Sequence, residues 1–248
     1  MRLLLANPNT SQAVTDRIAA VARANASPGT TIHAVTAARG VPYIATRAEA
    51  VIGASEVLEL LAEHAGEADA AVVAAFGDPG LGAARELLSI PVTGMAEASM
   101  LTACMLGRRF AVVTFATALG SWYGEIVEAV GLGARCSGVH WLDEPFADVA
   151  GVAEEKAARL VALCADAVAA GAEVCILGGA PLAGLAAVVA DQVAVPLVDG
   201  VAAAVRQAEV LASLRPRKAT AGSFRRPAAK PMQGISPAVT RLFQGGPA

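Results

Sequence analysis

Two turns hold the groups of this chain best suited to bind an anion or move a proton. The first, Phe76-Gly77-Asp78-Pro79-Gly80, follows the apolar run 70–75; the second, Gly178-Gly179-Ala180-Pro181, follows the run 174–177. A β-type run that breaks at glycine and proline and reopens as a helix sets a helix start against a strand's carboxyl end. Unpaired N–H groups and the positive end of the helix dipole meet there, and ligands bind in such places. The N–H groups around Phe76 and Gly77 and around Gly179 and Ala180 are therefore candidate ligand contacts, with Ala75 and Gly179 beside them. Two more strand ends add polar groups: Asn7, Asn9 and Thr10 in Asn7-Pro8-Asn9-Thr10-Ser11, and Thr114 followed by Phe115. Thr10 or Ser11 suffices to cap the next helix, so this cluster holds more polar groups than one cap uses.

Candidate acid–base side chains are Asp78, Tyr43 and Tyr123, with Glu97 and His140 outside that set. A carboxylate in an apolar, partly closed cleft acquires a raised pKa suited to proton transfer. The other role open to Asp78 is to bond the N–H groups of its own turn. Tyr43, in the loop Arg39-Gly40-Val41-Pro42-Tyr43, reads either as a lid over a pocket or as loop packing. Glu97 falls in the first turn of a helix, where the dipole favours a carboxylate.

The elements that must position these groups follow from periodicity and punctuation. Strands are expected over 2–6, 30–37, 70–75 and 90–93, with helices to about residue 25, over 46–65, from 80 to 88 and over 95–106. The pattern repeats with strands at 109–115, 136–142, 174–177 and from 195, and with helices ending near 131, over 149–170 and over 201–214. Strand and helix alternate four times in each half, which predicts an α/β fold of two pseudo-symmetric flavodoxin- or Rossmann-like lobes with parallel sheets. The expected division is 1–106 for the first lobe, whose last helix is free to cross over, and 107–214 for the second. A basic, proline-rich tail, 215–248, contains one short helix at 237–243. The strand ends of both lobes then converge on one cleft.

Composition narrows the function classes. Hydrophobic residues make up 55% of the 248 and charged residues 17%, enough to bury a core. A net charge of −3 argues against a nucleic-acid partner, and the basic residues gather only in the tail. No run supplies the roughly 20 apolar residues of a membrane span, and the start lacks a signal peptide's apolar core. A cytoplasmic protein with no membrane partner is expected. Cys104, Cys136, Cys164 and Cys175, with three scattered histidines, form no metal-ligand spacing, so no metal is expected. Ala-rich helices with few charges suggest a homo-oligomer, or simply close packing on a sheet.

The chain resembles the aspartate/glutamate racemase superfamily, and within it the hydantoin racemase branch. The matching stretches are Asn7-Pro8-Asn9-Thr10, Phe76-Gly77-Asp78-Pro79-Gly80-Leu81, Pro91-Val92-Thr93-Gly94-Met95-Ala96-Glu97-Ala98, Arg109-Phe110-Ala111-Val112-Val113-Thr114 and Pro196-Leu197-Val198-Asp199-Gly200-Val201. The tail segment 222–234 resembles that branch as well. The resemblance implies a cofactor-free active site between two lobes. There one cysteine thiolate takes a proton from the carbon beside a carbonyl, and a second thiol returns one on the opposite face. The family's two cysteine positions fall on Ala75 and Gly179, and neither residue can carry a proton.

The function expected is therefore a cofactor-independent enzyme with a non-cysteine mechanism. It would act on a small carboxylate, cyclic amide or amino-acid derivative through an enolate-like intermediate. A lyase, decarboxylase or ring-opening reaction fits the extra room at Ala75 and Gly179. The alternatives are a one-base isomerase of hydantoin-type rings and a non-catalytic small-molecule binder on the same scaffold. A catalyst needs at least one titrating side chain within reach of its ligand, whereas a binder needs only shape and polar groups.

Overall fold

Leu3, Leu4, Leu5 and Ala6 are buried without alternation, the mark of a strand covered on both faces in a parallel sheet. The computed structural model describes residues 1–245. The first half runs β1 (Arg2–Asn7), α1 (Gln12–Asn25), β2 (Thr31–Thr36), α2 (Arg47–His64), β3 (Ala70–Val73), α3 (Leu81–Leu87), β4 (Val92–Gly94) and α4 (Met95–Leu106). The second runs β5 (Phe110–Thr114), α5 (Thr117–Ala129), β6 (Cys136–Trp141), α6 (Val152–Ala169), β7 (Val174–Leu177), α7 (Leu185–Val189), β8 (Leu197–Asp199) and α8 (Gly200–Ser213). A last helix, α9 (Pro237–Phe243), ends the tail.

Two four-stranded sheets result, ordered β2-β1-β3-β4 and β6-β5-β7-β8, with every pairing parallel. The predicted alternation and fold class are observed, and most boundaries shift by one to three residues. Local chemistry explains the helix starts. Ser11 accepts from the Val14 N–H at 3.3 Å and so caps α1. Thr46 and Glu49 form a reciprocal capping box on α2.

Matching hydrogen bonds fix the correspondence between the halves. Ala37 N–H donates to Asn7 O as Leu142 N–H does to Thr114 O, at 3.0 and 3.2 Å. Ala74 N–H donates to Ala6 O as Gly178 N–H does to Val113 O, at 2.9 and 2.8 Å. Asp78 N–H donates to Ala75 O as Leu182 N–H does to Gly179 O, at 3.1 and 3.0 Å. Asn7 therefore corresponds to Thr114, Pro8 to Phe115, and Ala75 to Gly179.

The last helix of each half lies on the other half. Helix α4 packs against β7 and β8 as well as β4, and α8 packs against β3, β4 and α1. Two buried polar groups tie α8 down. Thr93 Oγ1 donates to Ala204 O at 3.0 Å, and Glu209 accepts from Ser27 N–H, Ser27 Oγ and Thr30 Oγ1 at 2.7–2.9 Å. Arg17 of α1 reaches Glu154 of α6 at 2.8 Å, a further tie between halves. The tail folds back on its own chain. Lys218 and Arg226 donate to the carbonyls of Arg85 and Leu87, and Val239 and Leu242 are buried where α9 meets α2.

Glu209→Ala would leave one N–H and two hydroxyls half-buried and unpaired at the exchanged helix. The expected loss is about 2–3 kcal/mol, read as a fall of roughly 4–10 °C in melting temperature by circular dichroism. An unchanged melting temperature would mean that these bonds do not hold α8 in place.

Candidate active site between the two sheets

The residues singled out at the strand ends meet where the halves face each other. Phe76 spans the gap from the first turn. A Cβ built on Gly178 would lie 3.2 Å from Phe76 Cε1, and one on Gly200 would lie 3.4 Å from Phe76 Cδ2. Tyr123, on α5, stacks on Phe76 with ring centroids 4.8 Å apart and also touches Gly178. Trp122 lies 5.6 Å from Tyr123 and covers Gly77. On the other side Tyr43, Phe115 and Phe146 form a second aromatic group, with centroids 5.4 to 6.4 Å apart.

The two turns keep free donors. The turn hydrogen bonds run from Asp78 N–H to Ala75 O and from Leu182 N–H to Gly179 O. The N–H groups of Phe76, Gly77, Gly179 and Ala180 have no main-chain acceptor among the described residues. Such backbone donors form an anion- or carbonyl-binding concavity. Thr114 Oγ1 donates to Gly178 O at 2.7 Å and fastens the end of β5 to the second turn.

Asn7 and Asn9 are buried in a network of their own. Asn7 Nδ2 donates to Thr15 Oγ1 at 2.8 Å and to Asn9 Oδ1 at 3.1 Å, and Asn9 Oδ1 also accepts from Ser11 N–H at 2.9 Å. Thr10 N–H donates to Val41 O at 3.0 Å, which anchors the loop that carries Tyr43. The side chains of this segment thus bond one another and the start of α1, and its main chain holds the loop of Tyr43.

Asp78 does the work of a cap. Its oxygens accept from the N–H groups of Ala96 and Glu97 at 2.9 and 2.8 Å, at the start of α4. In the second half Asp199 plays the same part for α8, accepting from Val201 and Ala202 N–H at 2.9 and 3.0 Å and from Gly184 N–H in the second turn at 2.6 Å. By strand register Asp199 corresponds to Gly94. A Cβ on Gly94 would fall 2.2 Å from Asp78 Cγ. One half thus supplies the capping carboxylate from the strand, the other from the turn, and the two arrive at the same place. Burial pushes the Asp78 carboxyl up to about 7, against the two N–H bonds that pull it down.

The phenols are held protonated. Burial, reinforced by the Glu49 carboxylate, pushes the Tyr43 hydroxyl well above its ordinary range, and that hydroxyl has no hydrogen-bond partner among the described residues. Burial also raises Tyr123, with Tyr43 and Asp78 adding to the shift and the Thr114 hydroxyl opposing it. Both phenols therefore act as neutral donors near pH 7.

The remaining candidates lie elsewhere. Glu97 pairs with Arg85, and His140 packs over Gly138 on the edge strand β6, with Asp166 close enough to oppose the burial that lowers its pKa. Cys175 is buried inside β7 against the Cys164 carbonyl, and Cys136 lies at the start of β6. Three contributors were not marked in sequence: Asp199, Trp122 and Phe146. A lone aromatic in the otherwise polar turn Asp143-Glu144-Pro145-Phe146 was the available signal for the last. Among the described residues no group of three or more His, Cys, Asp or Glu side chains is arranged to hold a metal ion, and no helix is long and apolar enough to cross a membrane.

Two four-stranded parallel sheets with flanking helices and matching strand-end turns define a pseudo-symmetric α/β protein. Residues 3–208 match the family described as Asp/Glu/Hydantoin racemase, and the chain belongs to that family. It is 33% identical over 236 residues to a hydantoin racemase from Paenarthrobacter aurescens, covering 93% of this chain and 99% of that one. Its structure is similar to an allantoin racemase from Klebsiella pneumoniae, with a TM-score of 0.89, 36% identity and coverage of 96% and 98%. An allantoin racemase from Pseudomonas fluorescens gives a TM-score of 0.86 at 32% identity, covering 94% and 100%.

The raised Asp78 pKa fixes the sign of a stability effect. An aspartate that titrates near 3.9 in the unfolded chain and near 7 in the folded one favours folding most below pH 4. That contribution disappears as pH rises through 7. The melting temperature of the native chain minus that of Asp78→Asn should therefore fall between pH 4.5 and 8. A difference that stays flat would mean the carboxyl titrates alike in both states.

Proposed function

We propose that this chain is a cofactor-independent enzyme acting beside a carbonyl of a hydantoin-type ring, through an enolate-like intermediate and without thiols. Family membership and the two racemases of ring ureides it resembles support the substrate class. One arrangement supports the mechanism: Tyr123 from the second half packs on Phe76 of the first turn and beside Gly178 of the second, and Tyr43 from the first half packs on Phe115, the ring nearest Gly179. The free N–H groups of those turns receive the carbonyl oxygen and stabilise its negative charge as the neighbouring C–H bond breaks. Tyr123 is the group that takes the proton as phenolate and returns it as phenol, and Tyr43 donates a hydrogen bond to the ring. The apolar walls exclude water and strengthen both interactions.

A second reading has its own observation. Near neutral pH both phenols are un-ionised, and the Asp78 oxygens are occupied at α4. A site whose phenols are un-ionised and whose carboxylate is engaged in capping is suited to binding a ring ureide without turning it over.

Proton NMR of 5-substituted hydantoins in heavy water separates the readings. If Tyr123 is the base, exchange at C5, corrected for the buffer rate, climbs about tenfold per pH unit from 7 to 10, and Tyr123→Phe lowers it at least 100-fold. A plateau above pH 8 that Asp78→Asn abolishes would transfer the role to Asp78. Saturable binding with no exchange at any pH would establish the binder.

A further inference from the structure

We propose that Phe115 closes one of the two faces of this cleft, so that the chain handles its ligand from one side and does not invert a stereocentre. The inference rests on reading the interlobe cleft as the ligand site. Inversion by proton transfer needs one group to remove a proton and another to deliver one from the opposite face. The resemblance to the racemases implies two such groups at the positions of Ala75 and Gly179, and matching turn hydrogen bonds make these positions equivalent.

These positions are no longer alike. A Cβ at Gly179 would stand 2.9 Å from Phe115 Cε1, 3.5 Å from its Cδ1 and 3.8 Å from Leu182 Cγ. The Phe115 ring is fully buried and wedged between Tyr43 at 5.8 Å and Phe146 at 5.4 Å, so it has no free volume to swing into. The backbone at Gly179 has φ +136°, a region that residues with a side chain rarely adopt. Space and backbone both reject a side chain here.

The first half has no aromatic ring at the corresponding position. Pro8 corresponds to Phe115, and its ring turns away onto α2, where its Cβ lies 3.4 Å from the Cβ position of Gly53. Ala75 already carries a Cβ, keeps a negative φ and remains 7% exposed. A longer side chain at Ala75 starts from a Cβ and a backbone that already accommodate one, whereas one at Gly179 must displace an aromatic ring and strain the backbone. The loss of the second acid–base position is built into the packing as well as into the residue type.

Two measurements test this. The first is a double-mutant cycle on melting temperature with Gly179→Cys, Phe115→Ala and their combination; Gly179→Ala replaces the cysteine variant if that one fails to fold. Gly179→Cys alone should lower the melting temperature by roughly 5 °C or more, and by clearly less in the Phe115→Ala background, where only the backbone strain remains. Equal losses in both backgrounds would overturn the proposal. The second places a thiol in the first half and removes the Tyr123 phenol, the other group able to transfer a proton. Ala75→Cys/Tyr123→Phe is incubated in heavy water with one enantiomer of a 5-substituted hydantoin, followed by NMR and polarimetry. Deuterium should enter C5 at least tenfold faster than optical rotation is lost. Equal rates with Phe115 in place would also overturn it. If no deuterium enters, the hydantoin reading of the cleft fails, while the melting cycle still decides the role of Phe115.

Discussion

Two partly buried carboxylates hold the architecture of the site. Asp78 and Asp199 each accept two N–H groups at the start of the helix that leaves one half and packs on the other. A helix start enclosed by protein would otherwise carry unpaired donors at a cost of about 1–3 kcal/mol each. Each cap also fixes a turn to a helix, so the turn donors of Phe76, Gly77, Gly179 and Ala180 are placed by the same bonds that lock the halves together. The price of the arrangement is a desolvated carboxylate at Asp78, offset by the hydrogen bonds and by the positive end of α4.

Within that frame the chemistry is set by an apolar environment. Phe76, Phe115, Trp122 and Phe146 surround the two tyrosines, and burial keeps the phenols neutral. Neutral phenols and free backbone N–H groups all donate hydrogen bonds. In the proposed function these donors would meet the carbonyl oxygens of a cyclic amide. Tyr43, buried with an unpaired hydroxyl, gains most from that partner.

Pseudo-symmetry shows how far the halves have diverged. The hydrogen-bond frame is preserved between them to within a few tenths of an ångström. The side chains on it differ: Pro8 against Phe115, Asn7 against Thr114, Gly94 against Asp199. A backbone frame tolerates such exchanges because its bonds involve no side chains, whereas the cleft's shape depends on each of them.

The order of elements in both halves was legible in the sequence, as were the limits of α4 and the short α9, whereas Thr10 and Ser11 stayed equal as caps for α1 until the structure chose Ser11. These rest on periodicity, glycine–proline punctuation and hydroxyl placement, all of which act within a few residues along the chain. The strand-end donors around Phe76 and Gly179 were legible for the same reason, since a turn between strand and helix leaves N–H groups free whatever surrounds it. The rest was decided only by tertiary contacts. The Asp78 oxygens reach residues 96 and 97, Asp199 reaches back to Gly184, and Phe146 leaves a polar turn to pack on Phe115 and Tyr43. Whether a carboxylate caps or catalyses, and whether a glycine leaves room or is filled by a neighbour's ring, depends on residues distant in sequence. Local pattern carries no information about those distances.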